Sequence, residues 1–329
     1  MEGTQLDLAQ DVLDHVGGPL RDVEHGIRTA LSDASPEAQA LTRHLTESGG
    51  KRVRPLLALL SGRLFTTELR PVVPVGIAAE LIHMATLVHD DVIDRAATRR
   101  GRWSVPHLWG NHVSVLAGDA LLARALVILV DQTNLEIVRI MADMIYKMCE
   151  GEIAQHASLR NTEQTEADYF DRIEKKTALF FAACCQAGAI AAGAPGEASE
   201  ALWHYGRNLG MAFQVVDDML DLSAEEQVVG KPVGHDVISG VLTLPILFLL
   251  QDERYRSRAS SLIAKGETIS RSEVQALAGW AHEAGAIQRT FDVARSFAEK
   301  AKEAIAHVPP GPTRALMQTI ADRVVTRRF

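Results

Sequence analysis

Apolar residues recur at three- and four-residue intervals along most of the chain, the spacing that gives a helix one buried stripe. The pattern predicts helices over RPLLALLSGRLF, VGIAAELIHMATLVHD, AGDALLARALVILV, IVRIMADMIYKMCEGEIAQ, KTALFFAACCQAGAIAAG and LWHYGRNLGMAFQVVDDMLDL, then over LTLPILFLLQDE, SEVQALAGWAHEAG and IQRTFDVARSFAEKAKEAIAHV. The two-residue alternation of a half-buried strand is hard to find, and frequent alanine and leucine favour helix. Gly and Pro cluster at SGGKRVRP, TRRGRWSVPHLWGN, GAPGEASE, VVGKPVGHD and HVPPGPT, marking breaks between helices and no long linker. The expectation is one all-α domain over residues 1–329. Short connections make sequential helices antiparallel neighbours, which brings alternate helix ends to one mouth.

Polar residues interrupt this pattern most sharply at two helix ends. HMATLVHDDVID closes an apolar run with Asp90, Asp91 and Asp94, and GMAFQVVDDMLD repeats the spacing with Asp217, Asp218 and Asp221. The first and last acid of each set are four residues apart, so on a helix their carboxylates share one face and can grip a cation together. The middle acid points partly aside, toward an outer ligand or another cation. Six carboxylates crowded into one cavity repel one another and some take up protons unless cations compensate. Oxygen ligands without a Cys or His cluster suit Mg2+ better than zinc, and Mg2+ bridges carboxylates and phosphates while keeping waters. Either set alone reads more readily as solvated charge on a helix end. Two sets, each behind a helix-long apolar run, favour cation sites.

Composition narrows the choice. With 47% hydrophobic residues the chain can bury a large core. A formal charge of -8 gives no support to a nucleic-acid binder and leaves room for local basic pockets. Three cysteines, with Cys184 and Cys185 adjacent, make neither a disulfide framework nor a zinc spacing and read as small core residues of a reducing compartment. The N-terminal MEGTQLDLAQ lacks the basic-then-apolar order of a secretory signal, and GVLTLPILFLL is too short for a membrane span of about 20 residues. A cytoplasmic protein without an integral membrane segment is expected.

Cations held by carboxylates need an anionic substrate to complete their shells, and the basic residues stand in the breaks where one can be met. GGKRVRP offers Lys51, Arg52 and Arg54 after two glycines, and TRRGR offers Arg99, Arg100 and Arg102 just past the first acidic set. Arg suits bidentate contact to phosphate and Lys a point charge. Lys231 follows the second acidic set in VVGKPVGHD, where the nucleotide P-loop pattern is absent. A lone basic cluster is ordinarily a solvated surface; beside acidic sets in an acidic chain, phosphate clamps fit better.

Taken in order, GGKRVRP, ELIHMATLVHDDVIDRAATRRGR, AGDALLARA, EGEIAQ, KTALFF, LGMAFQVVDDMLD and GKPVGHDVISGVLTLP, spanning residues 49–245, resemble the segments of the trans-type isoprenyl diphosphate synthases, and the C-terminal VVTRRF is compatible. The resemblance implies an isoprenoid synthase helical bundle around a central cavity. It implies an enzyme that joins an allylic diphosphate head to tail with isopentenyl diphosphate, releasing diphosphate and using Mg2+, with three ions once substrate is bound. By the same resemblance, Asp90, Asp91, Asp94, Asp217, Asp218 and Asp221 hold the ions on the allylic diphosphate. Lys51, Arg54, His83 and Arg100 match positions that grip isopentenyl diphosphate; Arg99, Lys176 and Lys231 match contacts to the allylic diphosphate; Thr177 and Gln214 match polar groups near the reacting carbon. Ionising the allylic C–O bond leaves negative charge on diphosphate and positive charge on carbon. Ions and basic groups must therefore favour the departing anion while an apolar wall keeps water from the cation. Trp103, Trp109 and the methionines at 84, 141, 144 and 148 read as packing.

One position departs from the family pattern: Gly240 precedes Val241 where many relatives carry a second Lys, which weakens the allylic clamp. A noncatalytic partner subunit is disfavoured because both acidic sets and the segment Lys51 to Arg54 are intact. A terpene cyclase is disfavoured because its second metal motif mixes Asn, Ser or Thr with Glu, and here the set is all Asp. Relatives pair as homodimers, and LLARALVILV from Leu121 is a candidate surface; the large subunit of a heterodimer is the alternative. If Asp90 marks the mouth, Thr86 lies one turn deeper with Ala85 beside it, and Ile82 and Ala79 follow. Short-chain relatives close the floor with an aromatic residue at Ala85 or Thr86. Both are small here, so an all-trans product of about C30 to C40 is expected, each isoprene unit taking roughly one helical turn. Geranylgeranyl or farnesyl diphosphate is the alternative if a deeper side chain closes the floor.

Overall fold

Local signals fix where the apolar runs become helices. In the computed structural model, which describes residues 2–32, 36–47, 50–223 and 234–326, the chain opens with α1 (Glu2–Ala30), α2 (Pro36–Glu47), α3 (Val53–Arg63) and α4 (Val73–Ile93). A hairpin of β1 (Thr98–Arg99) and β2 (Arg102–Trp103) leads into α5 (Val105–Gln132), α6 (Leu135–Ala157) and α7 (Glu166–Ile173). A π-helical turn, Glu174–Ala178, runs directly into α8 (Leu179–Ala191). There follow α9 (Gly196–Ser223), α10 (His235–Ser239), α11 (Leu244–Gln251), α12 (Arg256–Ile263), α13 (Arg271–Glu283), α14 (Ala286–Ala304) and α15 (Pro312–Thr326). Reciprocal capping boxes start α7, through Thr165 and Asp168, and α13, through Ser270 and Glu273, each adding about 1 kcal/mol. The class is all-α. The break TRRGRWSVPHLWGN, read as a plain connection, instead contains the hairpin, with Arg99 paired to Arg102.

Two compact units divide the chain. One comprises Met1–Ala142, Cys184–Leu202 and Val308–Leu316; the other comprises Asp143–Ala183, Trp203–His307 and Met317–Phe329. In the first, α4 packs along α5 while α1 packs on α3 and α4. Val23 and Ile27 of α1, Leu57 and Leu60 of α3, and Leu81 and Ile82 of α4 are all buried. Gly118 lets α5 approach α4 closely, since a Cβ there would stand 2.1 Å from His89 Nε2. Helix α5 is broken at Gly110, whose φ of 79° and ψ of 162° are not helical, and resumes beyond it. By length and composition α5 is long and apolar enough to cross a membrane. Leu121, Ala125 and Leu129 form its buried stripe, while Leu116, Val127 and Val130 are exposed.

In the second unit the segment that was too short for a membrane span becomes the centre of the core. Residues 244–250 of α11 are all buried, packed among Tyr169, Val215, Leu277 and Ala294. Gly210 brings α9 hard against the π-helical turn, because a Cβ there would lie 2.6 Å from Ala178 Cα. That contact sets Gln214, one turn further along α9, beside Thr177.

Candidate active site

The first acidic set terminates α4. Asp94 is its C-cap, and Arg95 then takes a left-handed conformation with φ of 51°. Asp90 is partly exposed and Asp94 exposed, but Asp91 is only 3% exposed and accepts a 2.7 Å hydrogen bond from Arg99 Nε. Burial raises the Asp91 carboxyl above the usual carboxylate range, with Arg99 opposing. Arg99 is held there by the hairpin, whose two turn residues, Arg100 and Gly101, have φ of 50° and 75°. This is a tight turn that glycine enters freely and arginine at a cost, and such strain is often found at working sites. Arg52, Asp91, Arg99 and Arg100 line one pocket together with His44 and Trp103.

Not every basic residue of GGKRVRP is available to a ligand. Arg52 forms ion pairs with Glu24 and Glu80 and ties α1 to α4. Lys51 is exposed; Arg54 is partly buried, and that burial lowers its guanidinium from the ordinary value. Arg54, Arg100, Arg99 and Arg52 all act on His83. Burial first, and those four cations after it, push the His83 imidazole down to about 2. Its Nδ1 is buried without a hydrogen-bond partner, so His83 is neutral across the physiological range. The unfolded chain takes up a proton at His83 below pH ~6.5, and the folded chain does not until far lower pH. This contribution is therefore complete above pH ~6.5 and is lost as the pH falls. Denaturant titrations should show wild type losing about 1–2 kcal/mol more than His83→Asn between pH ~7 and pH ~5; an equal loss in both proteins would show that His83 titrates normally in the fold.

Among the chain-length candidates, Ala79, Ile82 and Ala85 are 0% exposed. Thr86 is partly exposed and its hydroxyl donates to the His83 carbonyl at 2.8 Å.

The second acidic set lies on α9. Asp217 is exposed; Asp218 is buried and accepts from Tyr169 Oη at 2.7 Å and from Gln214 Nε2 at 2.7 Å. Asp221 accepts the Asp236 backbone N–H at 3.2 Å, and its carbonyl accepts the Gly234 N–H at 2.7 Å. Burial pushes Asp218 up to about 7 and raises Asp221. Asp236 is raised well above the carboxylate range by burial and by the charges of Asp221, Asp218 and Asp217, with Arg172 opposing. Lys176 forms a 2.6 Å ion pair with Glu152, and Thr177 donates to Gln214 Oε1 at 2.8 Å. Lys231 lies outside the described residues. Tyr169, Arg172, Glu152 and Asp236 were not singled out by the sequence reading. Glu152 and Asp236 fall inside the quoted EGEIAQ and VVGKPVGHD, whereas Tyr169 and Arg172 belong to no recognisable spacing.

Among the described residues no group of three or more His, Cys, Asp or Glu forms a ready metal site. The donors nonetheless fit a hard divalent cation. Asp217, Asp218, Asp221 and Asp236 offer oxygen only and repel one another against one buried guanidinium, a cost that a divalent ion removes.

A family model described as polyprenyl synthetase matches residues 35–279, and the chain belongs to that family. It is 37% identical over 294 residues to heptaprenyl diphosphate synthase component 2 of Geobacillus stearothermophilus, covering 89% of this chain and 91% of that protein. The crystal structure of a decaprenyl diphosphate synthase from Rhodobacter capsulatus superposes with a TM-score of 0.90 at 34% identity, covering 96% of this chain and 98% of that one. A polyprenyl synthase from Caulobacter crescentus CB15, solved with calcium and isoprenyl diphosphate, gives a TM-score of 0.91 at 33% identity over 97% of this chain and 98% of that one.

Proposed function

We propose that this protein is a Mg2+-dependent trans-prenyltransferase that condenses isopentenyl diphosphate with an allylic diphosphate and makes a polyprenyl diphosphate of about C30 to C40, roughly one helical turn of depth per unit. The observation that carries this reading is the pocket in which Asp91 meets Arg99 beside the Arg100 guanidinium: a carboxylate and paired cations sharing one pocket suit a metal-chelated diphosphate. Asp90, Asp91, Asp94, Asp217, Asp218 and Asp221 would hold Mg2+, whose charge offsets that of the departing diphosphate. Lys51, Arg54 and Arg100 bind the isopentenyl diphosphate, with neutral His83 adding a hydrogen bond without further charge. Arg99, Lys176 and Lys231 bind the allylic diphosphate. For Arg99 and Lys176 that means exchanging a carboxylate, Asp91 or Glu152, for phosphate oxygens. Thr177 and Gln214 are the polar groups assigned to the reacting carbon, from which an apolar wall must exclude water.

Incubation with labelled isopentenyl diphosphate and allylic primers of several lengths tests the assignment. Chain-elongated diphosphates that depend on both substrates are expected; cyclised hydrocarbon from the primer alone would favour a cyclase. The protein is taken as a cytoplasmic homodimer, and the exposed apolar face of α5, with Val127 and Val130, is the surface that pairing would cover. Sedimentation should find an active dimer. An active monomer would reject the pairing, and activity that appears only with a second protein would favour a heterodimer, as the word component in a relative's name suggests for that relative.

A further inference from the structure

Tyr169 is 0% exposed, and its hydroxyl donates to one oxygen of Asp218 at 2.7 Å. The other oxygen accepts from Gln214 Nε2 at 2.7 Å, and Gln214 Oε1 accepts from Thr177 Oγ1 at 2.8 Å. In its ionised, cation-holding form the Asp218 carboxylate only accepts, so the Gln214 amide then turns its NH2 toward Asp218 and its carbonyl oxygen toward Thr177. The direction of the amide dipole is thereby set by the carboxylate, and the carboxylate is held from its far side by the phenol. Tyr169 is itself fixed: the Arg172 guanidinium lies 5.4 Å from its ring centroid, and Arg172 Nη2 donates to the Leu242 carbonyl at 2.7 Å. Such a chain has little freedom, because each member has its donor and acceptor directions already assigned.

We propose that Tyr169 is a positioning residue for prenyl transfer: by clamping Asp218 it keeps the Gln214 carbonyl oxygen, and not its N–H, directed at the carbon that becomes positive. This rests on the prenyltransferase reading above. An amide turned the other way would present a partial positive charge to that carbon, so the same side chain would oppose ionisation. The intact allylic carbon is nearly neutral and the ionised one is cationic, so the aim of the dipole matters in the transition state and little in the bound substrate. Loss of the clamp therefore lowers kcat and spares KM.

The test is a double-mutant cycle of Tyr169→Phe and Asp218→Asn, assayed beside wild type with isopentenyl diphosphate and an allylic primer, each protein checked as folded by circular dichroism. Tyr169→Phe is expected to lower kcat about tenfold, the scale of one lost hydrogen bond to a charged group, with both KM values unchanged within about twofold. In the Asp218→Asn background the same change should cost less than about twofold, since the acceptor it acts through is gone. If Tyr169→Phe does not fold, Tyr169→4-fluorophenylalanine fills the hydroxyl volume without donating, and the same outcomes apply. A wild-type kcat in the donor-free variant, or an undiminished loss in the Asp218→Asn background, overturns the proposal. An inactive wild type would instead strike the prenyltransferase reading, so the two failures are distinguishable.

Discussion

Asp90→Ala and Asp217→Ala are each expected to reduce turnover by at least about a hundredfold, the scale seen when one preorganised group is removed from a developing charge. Each acid sits at the first position of its set and is accessible to a cation, Asp217 being exposed and Asp90 partly so. Neither truncation opens a cavity in the core, so the melting temperature should stay within a few degrees of wild type. Steady-state turnover and thermal melting on the same preparations separate loss of chemistry from loss of fold. Excess chelator should abolish wild-type activity and readdition of Mg2+ restore it. Full turnover in chelator would contradict the role given to the acidic sets.

Thr86→Phe should shorten the product to about C15 to C20, because it adds an aromatic ring one turn below Asp90 where each isoprene unit needs roughly 5 Å of depth. Of the four chain-length candidates only Thr86 retains accessible surface; Ala85 has none. A phenylalanine at 85 must therefore displace packed neighbours at about 1–3 kcal/mol, and Ala85→Phe is expected to destabilise the fold as well as alter the product. Chromatography of the dephosphorylated products decides the matter. Unchanged length in Thr86→Phe, with wild type reaching C30 or more, would show that the chain runs elsewhere.

What the sequence discloses depends on how local the information is. Helices α4, α9 and α11 announce themselves by dense apolar periodicity. Helix α1 does not, because Gly17, Gly18 and Pro19 interrupt the stripe of Val16, Val23 and Ile27 that it buries. The hairpin was hidden because its turn places an arginine, Arg100, where Asn or Asp would ordinarily signal a left-handed residue. The Gly and Pro of TRRGRWSVPHLWGN signal a break, and Gly110 does interrupt α5, yet the chain is helical on both sides of it. In the site, the acids and the basic segments are legible since spacing on one helix or in one loop carries their chemistry. Tyr169 and Arg172 are not, because their partners lie 49 and 70 residues away along the chain. For the same reason Arg52 looked like a ligand for phosphate until α1 and α4 brought Glu24 and Glu80 to it.

In the π-helical turn Glu174–Ala178 the number of residues matters as much as their side chains. Such a turn amounts to one extra residue wound into an α-helix. Deleting one of the five would let the segment close into ordinary helix, the residues on either side keeping nearly their present facing while those inside the turn lose theirs. Thr177 would swing away from Gln214, and the tight seat of Gly210 on Ala178 would be offered a different backbone. A substitution in this turn therefore perturbs one contact, while a single-residue deletion disturbs the Thr177–Gln214 bond and the seat of Gly210 together.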